Sequence, residues 1–119
     1  CLLDRILPMM LIIGTEDPSF PRLGSSFTLS IQETVDFWTR KFNCDVNPLV
    51  ENLPDTEDDG TTVVRDTYTG CDLILYTIEG GGGTWPGSSV AFDPDFGLTS
   101  REINASEVIV EFMLRHTLP

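Results

Sequence analysis

The sequence predicts an α/β domain with mainly parallel strands, flanking helices and one inserted hairpin, and three observations carry that reading. Met9, Met10, Leu11, Ile12 and Ile13 form a continuous apolar run between Pro8 and Gly14, the pattern of a parallel strand buried on both faces. Two later segments repeat apolar residues at helical spacing and are long enough to cover such a sheet. Between them, residues 61–68 and 73–78 are rich in β-branched and aromatic side chains, and Gly70 in the intervening four residues permits a tight reversal.

Taken in order, the first strand delivers Gly14, Thr15, Glu16, Asp17 and Pro18 at its carboxyl end. Ser30 and Glu33 then make a capping-box pattern, and Ile31, Val35, Trp38 and Phe42 recur at helical spacing until Cys44. Residues 47–60 hold Pro48, Pro54 and the acidic group Asp55, Glu57, Asp58 and Asp59, which reads as a solvated loop. In the hairpin that follows, residues 73–78 are the more apolar and the more central strand. That strand runs directly into four glycines, Gly80 to Gly83, and then Thr84, Trp85, Pro86 and Gly87. Residues 88–100 are irregular, with Pro94 and Gly97. Asn104 and Glu107 cap a last helix whose apolar stripe is Val108, Ile109, Phe112 and Met113.

A chain of 119 residues is enough for one modest domain. Its beginning, Cys1 followed at once by apolar Leu2 and Leu3, reads as the start of a piece of a longer protein, although a mature processed terminus would look similar. Seven basic residues against nineteen acidic ones give a formal charge of −12, which repels phosphate backbones and anionic lipid surfaces. Nucleic acid is excluded as an expected partner. The longest apolar run, residues 6–13, is broken by Pro8 and is far below the roughly 20 residues of a membrane helix, so no membrane span is expected.

Cys1, Cys44 and Cys71 include no C-x-x-C pair, and His116 is the only histidine, so no metal site is expected. No cofactor is expected either. Cys44 ends the first helix and Cys71 follows the turn at Thr69 and Gly70. Bridging them would close a loop of about 27 residues; the alternative is two buried free thiols. A bridge would imply an oxidising compartment, leaving Cys1 over.

Asp17 sits just past a strand's carboxyl end, where a carboxylate can hold an imidazole in its working tautomer. An Asp-Pro pair also simply begins turns, and the motif alone does not choose. The choice comes from a resemblance. SIQETVDFWTRKFNC (30–44), LPDTEDDGTTVVRDTYTGC (53–71), LYTIEGGGGTWPG (75–87) and TSREINASEVIVEFMLRH (99–116) together resemble secreted esterases related to polyhydroxybutyrate depolymerases and feruloyl esterases. The resemblance covers nearly the whole chain. It implies the C-terminal half of an α/β-hydrolase, in which a catalytic acid follows one strand and a histidine follows the next. It also implies acyl transfer through serine, histidine and aspartate, on an ester or polyester substrate, outside the cytoplasm (extracellular or periplasmic).

By that resemblance Gly14, Thr15, Asp17 and Pro18 match the acid-bearing motif, whereas Ile13 stands where His or Asn is common. Asp17 is thereby the acid of the triad. Gly83 occupies the histidine position of GGGHTWPG. No G-x-S-x-G occurs, and Ser25 and Ser26 lack the strand-to-helix setting of a nucleophile. The serine is expected in a missing N-terminal half of the domain, and the isolated chain is expected to be inactive. His116, at the end of the last helix beside Arg115, suits the helix dipole rather than catalysis. Trp85 is either a wall for an acyl or aryl group or a core residue.

Two rival readings belong to other classes. Gly83 also fits a noncatalytic homologue that binds an ester or glycan without cutting it. Asp55, Glu57, Asp59, Gly60 and Asp66 fall near the spacing of a calcium loop, but without flanking helices. Asn104-Ala-Ser is a formal glycosylation sequon whose better use is as a helix cap.

Overall fold

Parallel pairing of the apolar strand with the strand that precedes the glycines organises the chain. A computed structural model describes residues 8–18, 22–24, 29–45, 47–57, 59–88 and 97–116. Its elements are β1 (Met9–Gly14), α1 (Ile31–Lys41), β2 (Leu49–Asn52), β3 (Thr62–Tyr68), β4 (Leu73–Glu79) and α2 (Ala105–Arg115). The result is a small mixed α/β domain. Ser25, Ser26, Asp58, Pro94 and Cys1 lie outside the described residues.

The four strands lie in the order β1-β4-β3-β2. β1 runs parallel to β4, while β3–β4 and β2–β3 are antiparallel. This corrects the expectation of a mainly parallel sheet. A four-residue turn cannot make the crossover that a parallel pair needs, so the hairpin at 69–72 enforces antiparallel pairing. It also corrects the solvated-loop reading of residues 47–60, because Leu49–Asn52 forms β2 at the sheet edge. Four residues between two prolines are too short for alternation to register. Antiparallel pairing with β3 holds them, and a cross-strand pair adds to it: Arg65 Nη2 donates to Glu51 Oε2 at 2.9 Å and Arg65 Nε to Glu51 Oε1 at 3.2 Å. Glu51, helped by Tyr76, holds the guanidinium further above its ordinary pKa.

Strand alternation divides the core into two layers. Leu73, Leu75 and Tyr68 pack with Ile31, Val35 and Phe42 of the α1 side, joined by Met9, Leu11 and Ile13. On the other face Val63, Tyr76 and Ile78 pack with Met10, Ile12, Ile103 and Val108 on the α2 side. β1 therefore contributes apolar residues to both layers, as its unbroken apolar run requires. In α2 the predicted stripe holds at Val108 and Phe112 and fails at Met113, which is 63% exposed, while Ala105 joins the buried face.

Both helix ends follow from their sequences. The Ser30 hydroxyl accepts from the Glu33 amide at 3.0 Å and the Glu33 carboxylate accepts from the Ser30 amide at 3.0 Å, the reciprocal capping box. At the other end Asn43 takes a φ of 53°, the left-handed geometry asparagine tolerates. The Cys44 amide then bonds Thr39 O at 2.8 Å and the Asn43 amide bonds Arg40 O at 3.3 Å, which is a Schellman closure. That closure aims Cys44 at the β3–β4 turn. There the Asp45 amide meets Thr69 O at 2.8 Å, and Cys44 is bonded to Cys71 with Cα atoms 5.1 Å apart.

One core position is at odds with its surroundings. Asp66, on the α1 face of β3, has a buried Oδ1 without a hydrogen-bond partner. Burial pushes its carboxyl up, and burial first, then Asp66 and Asp36, push the Tyr68 hydroxyl up. The unfolded carboxyl ionises above about pH 3.9, and the folded one resists until higher pH. Asp66 therefore costs stability as pH rises through that window. Asp66→Leu, with room in an adjoining cleft of about 300 Å³, is expected to stabilise the fold by about 1 kcal/mol at pH 7. Thermal melts would show the gain shrinking below about pH 4; a gain unchanged across pH would contradict a role for its charge.

Candidate functional site

The carboxyl ends of β1 and β4 meet at a junction stitched almost wholly by backbone. Gly14 lies so close to the glycine loop that a Cβ there would collide with the carbonyls of Gly81 and Gly82. Past that contact the chain turns: the Thr15 amide bonds Ile78 O at 3.0 Å and the Glu16 amide bonds Gly81 O at 2.8 Å. Thr15, itself buried, accepts from the Gly80 amide on its hydroxyl at 2.9 Å. These bonds place Asp17 directly over the glycine loop.

The loop is held from its other side by residues 98–100. The Gly82 amide donates to Leu98 O at 2.9 Å, the Thr84 hydroxyl to the same oxygen at 3.0 Å, and the Gly87 amide to Ser100 O at 2.8 Å. The sequence predicts an irregular segment here, and the structure gives it an anchoring role. Isolated hydrogen bonds of this kind leave no periodic trace in the sequence, and Ser100 is buried at 1% exposure although it is polar. The Pro86 carbonyl receives the Ala105 amide at 2.9 Å, which starts α2 where the loop ends.

The glycines differ in what they require. Gly80 and Gly87 adopt φ of 82° and 79°, a conformation that favours glycine. Gly83 does not adopt a positive φ. Its surroundings are set instead by Asp17: a Cβ placed on Gly83 would lie 2.8 Å from Asp17 Oδ1 and 3.1 Å from its Cγ. The carboxylate thus faces the position of the missing side chain. Beside them is a cavity of about 190 Å³ lined by Asp17, Gly82, Gly83, Pro86, Leu98 and Ser100, among others.

Trp85 is outside that lining. Its ring is 47% exposed and its indole Nε1 donates to Ser106 Oγ at 3.0 Å, which turns it toward the start of α2. His116 is remote from the junction. It caps α2 with its ring 4.5 Å from that of Phe112 and its Nδ1 3.7 Å from Asp72 Oδ2. Asp72 precedes β4, so His116 lies at the amino end of the parallel pair while Asp17 lies at the carboxyl end. Seven strand residues separate them by roughly 20 Å.

Two carboxylates, Asp59 within the acidic loop and Glu102 beyond it, tie the loop to residues 101–102. Asp59 accepts from the Thr61 amide and hydroxyl at 2.9 and 2.8 Å and from the Arg101 amide at 2.6 Å. Burial pushes its carboxyl up, and these hydrogen bonds outweigh burial to leave it below the usual range. Glu102 similarly receives the Thr56 and Glu57 amides at 2.8 and 3.1 Å. Asp66 is not with them but within β3 on the α1 face. Among the described residues no group of His, Cys, Asp and Glu is arranged to hold a metal ion, and no helix is long and apolar enough to cross a membrane.

No family model matches the chain, and no solved structure matches it. A curated relative named "Putative esterase NocK", from Nocardia uniformis subsp. tsuyamanensis, is 29% identical over 128 aligned positions. The match takes in 91% of this chain and 37% of the relative. The chain thus spans little more than a third of the length of the curated relative it matches, and over nearly all of its own length it is related to a protein named as an esterase.

Proposed function

We propose that this chain is the C-terminal part of a serine-type carboxylic ester hydrolase of the α/β-hydrolase fold, resembling polyhydroxybutyrate depolymerases, and that it carries the acid of the triad. The observation that supports this most is the approach of Asp17 Oδ1 to within 2.8 Å of a Cβ built on Gly83. A histidine on that Cβ would push the carboxylate aside from where it now lies, and the displaced carboxylate would stand next to the imidazole it has to orient and steady in its charged form. The backbone amides of the glycine loop are tied to Leu98 and Ser100, so the loop is a fixed platform.

Gly83 supplies no base, and the nucleophile belongs to the part of the protein upstream. Loss of a triad base typically costs on the order of a millionfold in turnover. The chain is accordingly inactive alone, and its ester or polyester substrate is bound only by the whole protein. The Cys44–Cys71 bridge favours an extracellular or periplasmic setting. A second reading, a noncatalytic homologue that binds esters or glycans, is favoured by Gly83, whose backbone would accept a side chain that is not there.

Hydrolysis of p-nitrophenyl butyrate by the purified chain is expected to match buffer. Turnover well above buffer that disappears in Asp17→Asn would overturn the inactivity and point to another base.

A further inference from the structure

The α1 face of the sheet carries a second hollow. Leu75, Thr77 and Glu79 of β4 point to that face, as do Val64 and Asp66 of β3, and the antiparallel register sets Asp66 beside Leu75 and Val64 beside Thr77. The start of α1 and the Arg22 side chain complete the walls of the cleft of about 300 Å³ that adjoins Asp66. A volume of this order suffices for a small ligand. The Asp17 cavity is walled by Ile12 and Ile78, which belong to the α2 face, so the two hollows lie on opposite sides of the sheet.

Charge enters the cleft at two points. At the first, Arg22 and Glu79 are already paired, Nη1 with Oε2 at 3.2 Å and Nη2 with Oε1 at 3.4 Å. The second is Asp66, flanked within the sheet by Leu75 on β4 and Val50 on β2. Among the described residues no donor meets its buried Oδ1. Burial alone pushes its carboxyl up, so no cation of the fold offsets its charge. Arg65, the residue before it, lies on the opposite face and is held by Glu51.

Buried charges are ordinarily paired, and residues that break such a rule at a cost in stability are expected where a protein does something other than fold. A partner for Asp66 must bring positive charge and hydrogen-bond donors, with an apolar body to lie on Ile31, Val64 and Leu75, which also line the cleft. A primary ammonium has three donors and no acceptor. A metal ion is served less well, because hard cations need several oxygen ligands and Glu79 is engaged by Arg22. The formal charge of −12 draws cations in general toward the protein.

We propose that this cleft binds a small primary amine in its ammonium form, with the ammonium against the Asp66 carboxylate and the alkyl chain along Ile31, Val64 and Leu75. The site stands apart from the ester-hydrolase reading, since it shares no lining residue with the Asp17 cavity.

NMR titration of the ¹⁵N-labelled 119-residue chain with n-butylammonium chloride tests this, at about pH 7, where the amine is protonated, and at an ionic strength fixed with sodium chloride. The amide signals of Ile31, Asp66 and Thr77 should shift and saturate with a Kd of about 1 mM. Binding of n-butanol to the native chain, and of n-butylammonium to Asp66→Asn, should each be ~10-fold weaker or more. Asp66→Leu should melt at a higher temperature than the native chain and show no shift at Ile31 or Thr77, which separates loss of the ligand from loss of the fold. Failure to saturate by about 100 mM, equal affinity for n-butanol, or undiminished binding to Asp66→Asn would overturn the assignment. The comparison of n-butylammonium with n-butanol uses the native chain alone and so holds whether or not a variant folds.

Discussion

Replacing both bridged cysteines, Cys44→Ser with Cys71→Ser, is expected to lower unfolding stability by about 3–4 kcal/mol, the chain-entropy value for a loop of this length. The bridge spans 27 positions and ties the end of α1 to the β3–β4 turn, two places otherwise joined by the backbone bond from Asp45 to Thr69. Small domains have about 5–15 kcal/mol in total, so the loss is a large share. Urea denaturation of the double variant, and of the native chain under reducing agent, would measure it. A common fall in midpoint is expected for both; a loss under about 1 kcal/mol would mean that the unfolded chain is already restrained there.

Leu73→Ala is expected to be comparably severe, at about 2–5 kcal/mol. Leu73 is 1% exposed, opens the central strand β4, and shares the α1 layer with Val35, Phe42, Tyr68 and Leu75. Its loss leaves a hole bounded by sheet and helix that neither can close without breaking strand register. Met113→Ala, on the open flank of α2, should stay within about 0.5 kcal/mol. Equal effects at the two positions would contradict the core described here.

The sequence makes some of this legible and conceals the rest for identifiable reasons. Long periodic signals hold: the capping box of Ser30 and Glu33, the apolar run of β1, and the hairpin around Gly70 each have a local physical cause. β2 escapes because it is short and its partners lie far along the chain, Glu51 meeting Arg65 fourteen positions away. The outward turn of Met113 escapes because the residue is apolar, and periodicity alone does not mark the edge of a buried stripe. The proximity of Asp17 to Gly83 is a long-range fact. The resemblance implies it, but it arises in the fold from the parallel register that sets Gly14 opposite Ile78. The anchoring by Leu98 and Ser100 has no sequence signature at all.

The most direct test of the Asp17–Gly83 pairing is the imidazole titration of Gly83→His, followed by ¹⁵N NMR with and without Asp17→Asn. Gly83 is outside the positive-φ region, so the backbone admits the side chain once the Asp17 carboxylate rotates aside. A carboxylate at hydrogen-bond distance favours the charged imidazole, so its pKa should rise above the ordinary value of about 6.5. A raised folded-state pKa adds stability that is fully present below about pH 6.5 and is lost as pH rises through the folded value. The prediction is a titration about one unit higher with Asp17 than with Asp17→Asn. Identical titrations in the two backgrounds would show that the carboxylate does not face the position, and would contradict the assignment of Asp17 as the acid.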